Sequence, residues 1–465
     1  MWNGGDSGTK SCAVCEKKIG ERKRRLKMRF KQRELRSQLR GNSMARFLFT
    51  MVPANDLGLP TRLVPIARAL ADRGHEVALF NPSPAPAQLI SDAGLTNLPM
   101  PSPPMPAPGF DPGPLSSAWD LEEMFATIYS DEQYARADVA FYADLIRAFS
   151  PDAVIDSFGL PACIAARALR IPLVSVLQGN FHPASDGFLW WKGQRPAHLP
   201  SAAAIIGRVA REHGIEPLTR CVDFLAGDLS LIVGTPETDP LAASAHATHI
   251  GPIVWQRGDA QLPAWVSALA GDRPVIWVYS GNPRYGGRVA TSLDSIEVIR
   301  AAIAALDGSS LQVVLTTGFQ ELPSEVGALP PNFHHATYLP GLAMAERCDL
   351  MVHHGGHSSV MMGLLTGTPA VIIPTITERE SNARRAMMLG AAEIVLPITG
   401  TDGEKRVDID DFGVKVRLVL TQPSYRQAAQ RVADAMRKLG GIREAADRIE
   451  RLVAGNRAAA AEIPS

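Results

Sequence analysis

The sequence predicts an α/β protein with two doubly wound domains, each built on a parallel β-sheet. The chain has 465 residues, which is enough for two or three domains with complete cores. Short apolar runs alternate with stretches of helical period from residue 44 onward, and the same alternation starts again near residue 274. Apolar strands that alternate with helices are typical of a parallel sheet covered on both faces.

The first series, residues 44–235, predicts an N-terminal Rossmann-like domain. Its elements follow the order strand, helix, strand, and they read RFLFTMV, LVPIARALADRG, HEVALFN, DAVIDSF, PACIAARALR and IPLVSVLQ. Residues 97–114 contain too many prolines for a helix or a strand. We predict a surface loop there, which is either a lid or a plain connection.

The second series, residues 273–440, predicts a C-terminal domain of the same kind. Its strands read PVIWVYSG, LQVVLTTG, CDLMVHH and PAVIIP, and SIEVIRAAIAAL reads as a helix. Residues 236–272 have weak periodicity and are interpreted as the interdomain linker, and residues 441–465 predict a C-terminal helix. Ligands of doubly wound sheets bind at the carboxyl ends of the strands, here facing a cleft between the domains.

The charge distribution separates a basic N-terminal arm from an acidic body. Residues 1–43 hold 13 of the 47 Lys and Arg residues and 4 of the 47 Asp and Glu residues, which leaves 34 basic and 43 acidic residues for the remainder. An acidic body argues against nucleic-acid binding by the main domains. The arm is interpreted as a solvated, disordered charge run or as a segment ahead of a translation start at Met44, with binding to an anionic membrane or nucleic acid as the third alternative.

The cysteines and the hydropathy indicate a protein of a reducing compartment. Cys12 and Cys15 form a lone C-x-x-C motif without further ligands nearby, so a zinc site is not predicted. Cys163, Cys221 and Cys348 lie in apolar surroundings and predict buried thiols. No apolar run reaches the length of a membrane span, and the polar N-terminus does not resemble a secretory signal. We expect a cytoplasmic protein, either a monomer or a weak homodimer.

The stretch HHGGHSSVMMGLLTGTP, residues 353–369, predicts a phosphate site where a strand ends. Gly355 and Gly356 remove side chains where a ligand must approach the backbone. Ser358 and Ser359 offer hydroxyls and free N–H groups in the first turn of a helix, whose dipole favours an anion. His354 adds a side-chain donor. We predict a diphosphate cradle without a P-loop lysine, rather than a glycine turn with a helix cap.

The next strand end, TITERESNARR, predicts a sugar-binding carboxylate. Glu378 and Asn382 are four residues apart and therefore share one face of a helix. A carboxylate at this position can accept hydrogen bonds from sugar hydroxyls. Taken alone, Glu378 also fits a solvated helix N-terminus.

Residues 333–396 resemble the donor-site signature of family 1 glycosyltransferases, the GT-B group that includes plant UDP-glycosyltransferases and bacterial macrolide glycosyltransferases. The resemblance follows YLPGLAMAERCDLMVHHGGHSSVMMGLLTGTPAVIIPTITERESNARRAMMLGA element by element. GPIVW with PVIWVYSGN, and GLPTRLVPIARALADRGHEV, resemble other parts of that family. From Met44 onward, the resemblance implies a GT-B fold with an acceptor domain followed by a nucleotide-sugar domain.

The resemblance also implies roles for single residues on the donor side. Tyr338 stands where the family often has a tryptophan near the nucleotide base. The turn near the phosphates corresponds to Ser280, Gly281 and Asn282. His354 and the backbone of residues 355–359 would hold the diphosphate.

Two residues that the family uses to bind the sugar are different amino acids in this sequence. Glu378 and Arg379 occupy the place of the usual aspartate and glutamine. Glutamate keeps the carboxylate, whereas arginine in place of glutamine puts the usual choice of UDP-glucose in doubt.

The general base of the family is absent at its expected position. Counting back from RGHEV without a gap places Leu59 where the family has a histidine, and leucine cannot accept a proton. An alcohol is a poor nucleophile at neutral pH, so a base is needed unless the acceptor is itself acidic. Asp56 in the same loop is the first candidate and His182, after a strand of the same sheet, is the second. His75 is interpreted as helix-end packing.

The resemblance therefore implies an inverting, metal-independent glycosyltransferase that needs no cofactor. It would move a hexose from a UDP- or dTDP-linked donor to a small, lipophilic acceptor. The absence of a histidine at Leu59 leaves open a non-catalytic binder of sugar nucleotides. A sugar-nucleotide epimerase of the same fold fits the signature less well.

Overall fold

The computed structural model describes residues 44–461 except for residues 55, 102, 107–109, 112, 190–195, 258–260, 270 and 282–292, with side chains as far as residue 457. The basic arm, with Cys12 and Cys15, lies outside the described residues, and so does the predicted site residue Asn282.

Within these residues the first domain contains a seven-stranded parallel sheet in the order β3-β2-β1-β4-β5-β6-β7. Its strands are β1 (Arg46–Met51), β2 (Glu76–Leu79), β3 (Thr96–Asn97), β4 (Ala153–Ser157), β5 (Leu173–Leu177), β6 (Leu229–Ile232) and β7 (Thr248–His249). Phe47 of the central strand pairs with Val77 on one side and Ala153 on the other. The order reverses between β1 and β4, which opens a crevice at the carboxyl ends of these strands.

Helices cover both faces of this sheet because its strands are apolar on both sides. They are α1 (Pro60–Asp72), α2 (Pro84–Asp92), α3 (Leu121–Ile128), α4 (Glu132–Phe149), α5 (Leu160–Ala168) and α6 (Ala203–Glu212). Leu48 points into one core cluster, while its neighbours Phe47 and Phe49 point into the other. The alternation of side chains along β1 thus divides the domain into two apolar layers.

The second domain contains a parallel sheet whose described strands follow the order β10-β9-β8-β11-β12-β13. They are β8 (Val275–Tyr279), β9 (Gln312–Thr316), β10 (Phe333–Ala336), β11 (Leu350–His353), β12 (Ala370–Ile372) and β13 (Ala392–Ile394), followed by the short hairpin β14 (Ile398–Thr399) and β15 (Lys405–Arg406). Its helices are α7 (Ala264–Ser267), α8 (Ser295–Leu306), α9 (Gly341–Arg347), α10 (His357–Thr366), α11 (Thr377–Met388), α12 (Ile409–Thr421) and α13 (Pro423–Met436). Two doubly wound parallel sheets are the predicted fold class, which is confirmed.

The last helix, α14 (Gly441–Ala461), leaves the second domain and packs on the first. Ile449 of α14 is fully buried in the core cluster of Phe47 and Phe49. Glu450 receives a hydrogen bond from Arg73 at 2.7 Å and lies 2.8 Å from Nε2 of His75. The sequence assigned His75 to helix-end packing, and this contact is consistent with that role.

Two connecting segments contain structure that the sequence did not predict. Strand β7 lies within residues 236–272, the predicted linker, so the first sheet extends into this range. The proline-rich loop ends in a short 3₁₀ helix, Gly113–Ser117. Beyond it, the carbonyl of Ala118 accepts a hydrogen bond from Thr377 of the second domain at 2.9 Å. The end of this loop therefore contacts the opposite domain.

The described cysteines are reduced and buried, as predicted for Cys163, Cys221 and Cys348. Among the described helices, none is long and apolar enough to cross a membrane.

Candidate active site between the two domains

The turns after β8 and β11 meet around the imidazole of His354. A Cβ atom on Gly281 would lie 3.3 Å from Nδ1 of His354, and a Cβ atom on Gly356 would lie 2.7 Å from Nε2. Gly281 also has a φ of +86°, which other residues rarely adopt. Ser280 beside it is fully buried. Both glycines are therefore required by the close packing of the two predicted phosphate turns.

His354 is a neutral imidazole. Burial holds its pKa well below its usual range, and the positive charge of Arg379 lowers the pKa further. The ring also lies at 5.4 Å from the ring of Tyr279 in an edge contact. A neutral imidazole carries one N–H, for which a ligand would compete with the backbone carbonyl of Tyr279.

Helix α10 begins directly after this turn, with Gly356 as its N-cap. The sequence prediction that Ser359 has a free N–H is wrong, because this group donates to the carbonyl of Gly356 at 2.9 Å. A 3₁₀-type bond of this kind is common in a first helical turn. Ser358 lies in the same turn and is partly exposed. The positive end of the α10 dipole points toward the cleft side of the sheet.

Helix α11 presents the predicted carboxylate at the cleft. Nδ2 of Asn382 donates to Oε1 of Glu378 at 2.7 Å and to the carbonyl of Gly355 at 3.1 Å. The two residues therefore share a helix face as the sequence indicated. Oε1 of Glu378 also accepts a hydrogen bond from Nε2 of Gln178, in the first domain, at 2.6 Å. Glu378 thus lies where the two domains touch.

Arg379 points to the phosphate turn. Its guanidinium donates to Oγ1 of Thr375, and its charge acts on His354 and on Tyr279. Gly355 has a φ of +86°, and a Cβ atom there would lie 2.6 Å from the backbone carbonyl oxygen of Arg379. The arginine that replaces the family's glutamine therefore adds positive charge beside the predicted diphosphate position.

Tyr338 is part of an aromatic cluster at the end of β10. Its ring stacks on Phe319 with 4.5 Å between the ring centroids and an interplanar angle of 12°, and Trp255 lies 6.4 Å away. Phe319 is 46% exposed and follows β9. Sequence reasoning missed Phe319, although an aromatic residue directly after a strand end could have indicated it. An exposed aromatic face is suited to stacking a planar base.

Each of the two candidates for the general base uses one side-chain atom in a hydrogen bond within its own loop. Oδ1 of Asp56 accepts the N–H of Gly58 at 2.8 Å. Nδ1 of His182 accepts the N–H of Ala184 at 3.1 Å. Burial, together with the charge of the nearby His249, lowers the pKa of His182 to about 4. His182 is thus an uncharged histidine at neutral pH.

A polar cluster that sequence reasoning missed bridges the domains next to Glu378. Arg62 of α1 is 3% exposed and donates from Nη2 to Oε1 of Gln178 at 3.0 Å. His357, the first residue of α10, lies 3.1 Å from Asp239, which follows β6. Burial lowers the pKa of Arg62 to about 10, while the charges of nearby carboxylates act in the opposite direction. A buried arginine on an apolar helix was the one sequence signal for this cluster.

The comparisons with known proteins agree with this geometry. Residues 297–452 match the C-terminal domain of the erythromycin biosynthesis protein CIII-like family, and residues 58–215 match a glycosyl transferase 4-like domain. A PGL/p-HBAD biosynthesis glycosyltransferase of Mycobacterium tuberculosis is 25% identical over 329 residues, which is 66% of this chain and 72% of the relative. The 3-alpha-mycarosylerythronolide B desosaminyl transferase of Saccharopolyspora erythraea is 25% identical over 422 residues, 85% of this chain and 96% of the relative.

A solved structure of similar fold is the spinosyn rhamnosyltransferase SpnG complexed with thymidine diphosphate. It has a TM-score of 0.63 and 20% identity, and the match covers 87% of this chain and 100% of that chain. The two parallel sheets and this likeness show a GT-B fold. The family matches and the glycosyltransferase relatives support a family 1 glycosyltransferase of the GT-B class.

Proposed function

We propose that this glycosyltransferase moves a hexose from a UDP- or dTDP-linked donor to a small, lipophilic acceptor, with inversion and without a metal ion or other cofactor. The observation that carries the proposal is the convergence of His354, the first turn of α10 and Glu378 at one edge of the second sheet. This edge offers hydrogen-bond donors for a diphosphate beside a carboxylate for sugar hydroxyls.

The leaving diphosphate is balanced by groups of the chain in this proposal. The α10 dipole, the N–H of His354 and the guanidinium of Arg379 all favour an anion at the phosphate turn. Within the described residues no three His, Cys, Asp or Glu side chains converge as metal ligands would. A chain with these cationic and dipolar groups can stabilise the leaving group without a divalent cation.

The donor and the acceptor belong to different domains in the proposed arrangement. The nucleotide base stacks near Tyr338 and Phe319, and the phosphates and the sugar extend toward Glu378. One structural neighbour is complexed with thymidine diphosphate, so dTDP-linked sugars are the first donors to test. The buried, reduced cysteines suit a cytoplasmic enzyme.

The stereochemical outcome tests the reaction. The purified chain is incubated with α-linked dTDP- and UDP-hexoses and aromatic alcohols, and the coupling constant of the anomeric proton is read by NMR. We expect a β-linked product, because one direct displacement inverts the anomeric carbon. An α-linked product from the same donor contradicts the inverting mechanism.

One observation favours a second candidate, a non-catalytic sugar-nucleotide binder. Leu59, at the position of the family's base, packs against the apolar core cluster and can accept no proton. Nanomolar to micromolar binding of a nucleotide sugar in calorimetry, with no product from any acceptor, would favour this alternative. Asp56 and His182 remain the sequence-based candidates for a base in the catalytic reading.

A further inference from the structure

Four polar side chains form a closed ring of hydrogen bonds across the interface between the domains. The first domain contributes Gln178 and Asn180, and the second contributes Glu378 and Asn382. Across the interface, Nε2 of Gln178 donates to Oε1 of Glu378 at 2.6 Å, and Nδ2 of Asn180 donates to Oδ1 of Asn382 at 3.3 Å. Within each domain, Gln178 donates to Oδ1 of Asn180 at 2.7 Å, and Asn382 donates to Glu378 at 2.7 Å.

The neighbours of the ring determine the direction of each amide in it. A guanidinium only donates hydrogen bonds, so the atom of Gln178 that faces Arg62 at 3.0 Å is its oxygen, and its nitrogen faces Glu378. The nitrogen of Asn382 lies against two acceptors, the carboxylate of Glu378 and a backbone carbonyl, so its oxygen faces Asn180. Each pair across the interface therefore has one N–H donor on the first domain and one oxygen acceptor on the second.

A hydroxyl group can enter each of these pairs without leaving a polar atom unpaired. A hydroxyl both donates and accepts, so it can donate to the carboxylate of Glu378 and accept from the amide of Gln178 at the same time. The distance between these two atoms then grows from 2.6 Å to ~4.5 Å, the span of two successive hydrogen bonds. A C–H group in the same place would separate the two polar atoms and satisfy neither, which costs free energy.

The two pairs lie side by side. Gln178 and Asn180 are in hydrogen-bond contact on one side of the interface, and Glu378 and Asn382 are in contact on the other, both at 2.7 Å. The oxygens on neighbouring carbons of a sugar ring are arranged in the same way, one beside the other. The ring of side chains is therefore suited to two neighbouring hydroxyls rather than to one.

The ring also lies beside the phosphate turn. Nδ2 of Asn382 donates to the carbonyl of Gly355 in that turn at 3.1 Å. A small polar opening between the domains borders the ring and is lined by Asn180, Ser381, Asn382 and Arg385, among others. A sugar joined to a diphosphate in the turn would thus extend toward the four side chains.

We propose that Gln178 and Asn180 of the first domain, together with Glu378 and Asn382, bind two neighbouring hydroxyls of the donor sugar. The inference rests on the glycosyl transfer proposed above and assigns the class of donor, a hexose that keeps both hydroxyls rather than its deoxy analogues. Arg62 is a positioning residue, because it holds the oxygen of Gln178 and turns the N–H groups toward the second domain. The bound sugar then joins the two domains in place of their direct contacts.

Deoxy donors test the selection without the need for a known acceptor. Titration calorimetry first identifies the tighter-binding donor of UDP-glucose and dTDP-glucose, and then compares it with its 2-, 3-, 4- and 6-deoxy analogues. We expect two analogues that lack hydroxyls on neighbouring ring carbons to bind at least ~10-fold more weakly, because a polar pair is left unsatisfied. The 6-deoxy analogue, whose missing oxygen is not attached to the ring, should stay within ~3-fold.

Gln178→Leu keeps the size of the side chain and removes its amide. We expect the penalty for one of the two deoxy analogues to fall below ~3-fold in this variant, because the lost hydroxyl no longer has its donor. The affinity for UDP or dTDP alone should stay within ~2-fold. A residue that only holds the domains together would change the affinity for the nucleotide and for every donor by the same factor.

Asn180→Ala tests the second pair and removes no partner of Arg62, so it serves if Gln178→Leu does not fold. We expect it to reduce the penalty for the neighbouring deoxy position. The matched control is Gln88→Leu on the exposed side of α2, which should keep the affinities and penalties of the unaltered chain.

Equal affinities of the unaltered chain for the parent donor and for all of its deoxy analogues would overturn the proposal. Penalties that persist in full in both Gln178→Leu and Asn180→Ala would overturn it too, since the hydroxyls then do not meet these amides. Either result leaves the glycosyl transfer intact if a product forms. Deoxy penalties that depend on Gln178 and Asn180, with no product from any acceptor, would support the sugar contacts and contradict the transfer.

Discussion

His354 is enclosed by Gly281 and Gly356, and this enclosure explains both its charge state and its predicted role. A buried imidazole without a carboxylate partner remains neutral, because burial penalises the charged form. The positive charge at the phosphate turn then comes from Arg379 and from the α10 dipole. In the proposed donor site the histidine would contribute a directed hydrogen bond and the arginine would contribute charge, so replacing each should have a different effect on donor binding.

We predict that His354→Ala weakens binding of the donor or slows transfer by ~10²-fold. A hydrogen bond to a charged phosphate oxygen contributes ~2–3 kcal/mol. Titration calorimetry with dTDP and UDP gives the affinity, and initial rates give the transfer. His334→Ala, beside Trp265 at the edge strand β10, is the control and should behave as the unaltered chain. Unchanged affinity and rates in His354→Ala would remove this residue from the donor site.

Asp138 in α4 predicts a pH dependence of stability that is unrelated to the active site. Burial raises the pKa of Asp138 to about 7, although Tyr129 and Tyr134 donate hydrogen bonds to it and lower the pKa. A carboxyl group whose pKa is raised on folding stabilises the fold at low pH, and this contribution is lost as the pH rises through the folded pKa.

We therefore predict that Asp138→Asn removes this loss of stability with rising pH. Between pH values of about 4 and about 7, the free energy of unfolding of the unaltered chain should fall by roughly 1–3 kcal/mol more than that of Asp138→Asn. Urea unfolding at several pH values measures this difference in the free energy of unfolding. Asp144→Asn, exposed on the same helix, should follow the unaltered chain. Parallel pH profiles of Asp138→Asn and the unaltered chain would show that Asp138 does not titrate in this range.

At the scale of elements, α14 links the end of the chain to the beginning of the first domain. Its apolar face contributes Ala445, Ala446, Ile449 and Val453 to the first core. Ion pairs from Arg73 flank this face, but they are partly exposed and contribute little. The attachment of α14 should therefore depend on its apolar side chains.

We predict that Ile449→Ala lowers the free energy of unfolding of the first domain by about 2–4 kcal/mol, because it leaves a cavity in a packed core. Differential scanning calorimetry or urea unfolding measures the change. Arg451→Ala lies on the exposed side of the same helix and should change stability by less than about 0.5 kcal/mol. Equal effects of the two substitutions would show that α14 is not bound through this face.

The sequence predicts those helices and strands whose signals lie within their own residues. The helix SIEVIRAAIAAL is observed as α8 (Ser295–Leu306), because its apolar period and the N-cap Asp294 are local signals. The pair Glu378 and Asn382 was predictable for the same reason. The edge strand β7 was missed because two residues carry no periodicity.

The cross-domain contacts could not be read from the sequence because they depend on how two distant segments meet. His357 belonged to the quoted phosphate stretch, yet its partner Asp239 lies 118 positions away. The prediction of a free N–H at Ser359 failed because the first turn of α10 has a 3₁₀-type hydrogen bond, in which this N–H donates to the carbonyl of Gly356. The residue types in the turn do not determine whether such a bond forms. Arg62 gave a weak signal, since a charged residue on an apolar helix face needs a partner.

At the scale of the whole molecule, the two domains are joined by polar contacts at the site itself. Gln178 connects Arg62 of the first domain with Glu378 of the second, at 3.0 Å and 2.6 Å. Asn180 and Asn382 are a further pair across the cleft, at 3.3 Å. If the sugar binds Glu378 as proposed, it competes with Gln178, which would couple donor binding to the contact between the domains.

We predict that transfer needs no divalent cation. In the proposed reaction the α10 dipole, His354 and Arg379 stabilise the leaving diphosphate, so activity should survive an excess of EDTA, within about twofold of the untreated rate. Initial rates of product formation are compared before and after chelation and after addition of Mg²⁺ or Mn²⁺. Loss of activity with EDTA that either metal restores would contradict this prediction.

The most direct measurement of the central claim is a time course of product mass with the unaltered chain and with Glu378→Gln. The chain is incubated with dTDP- and UDP-hexoses and a set of aromatic alcohols and phenols, and mass spectrometry follows the products. We predict an acceptor that gains the mass of one hexose residue, formed together with one free nucleotide diphosphate, and a rate at least ~10-fold lower in Glu378→Gln. Binding of the donors without any glycosylated product, or equal rates for both proteins, would contradict it.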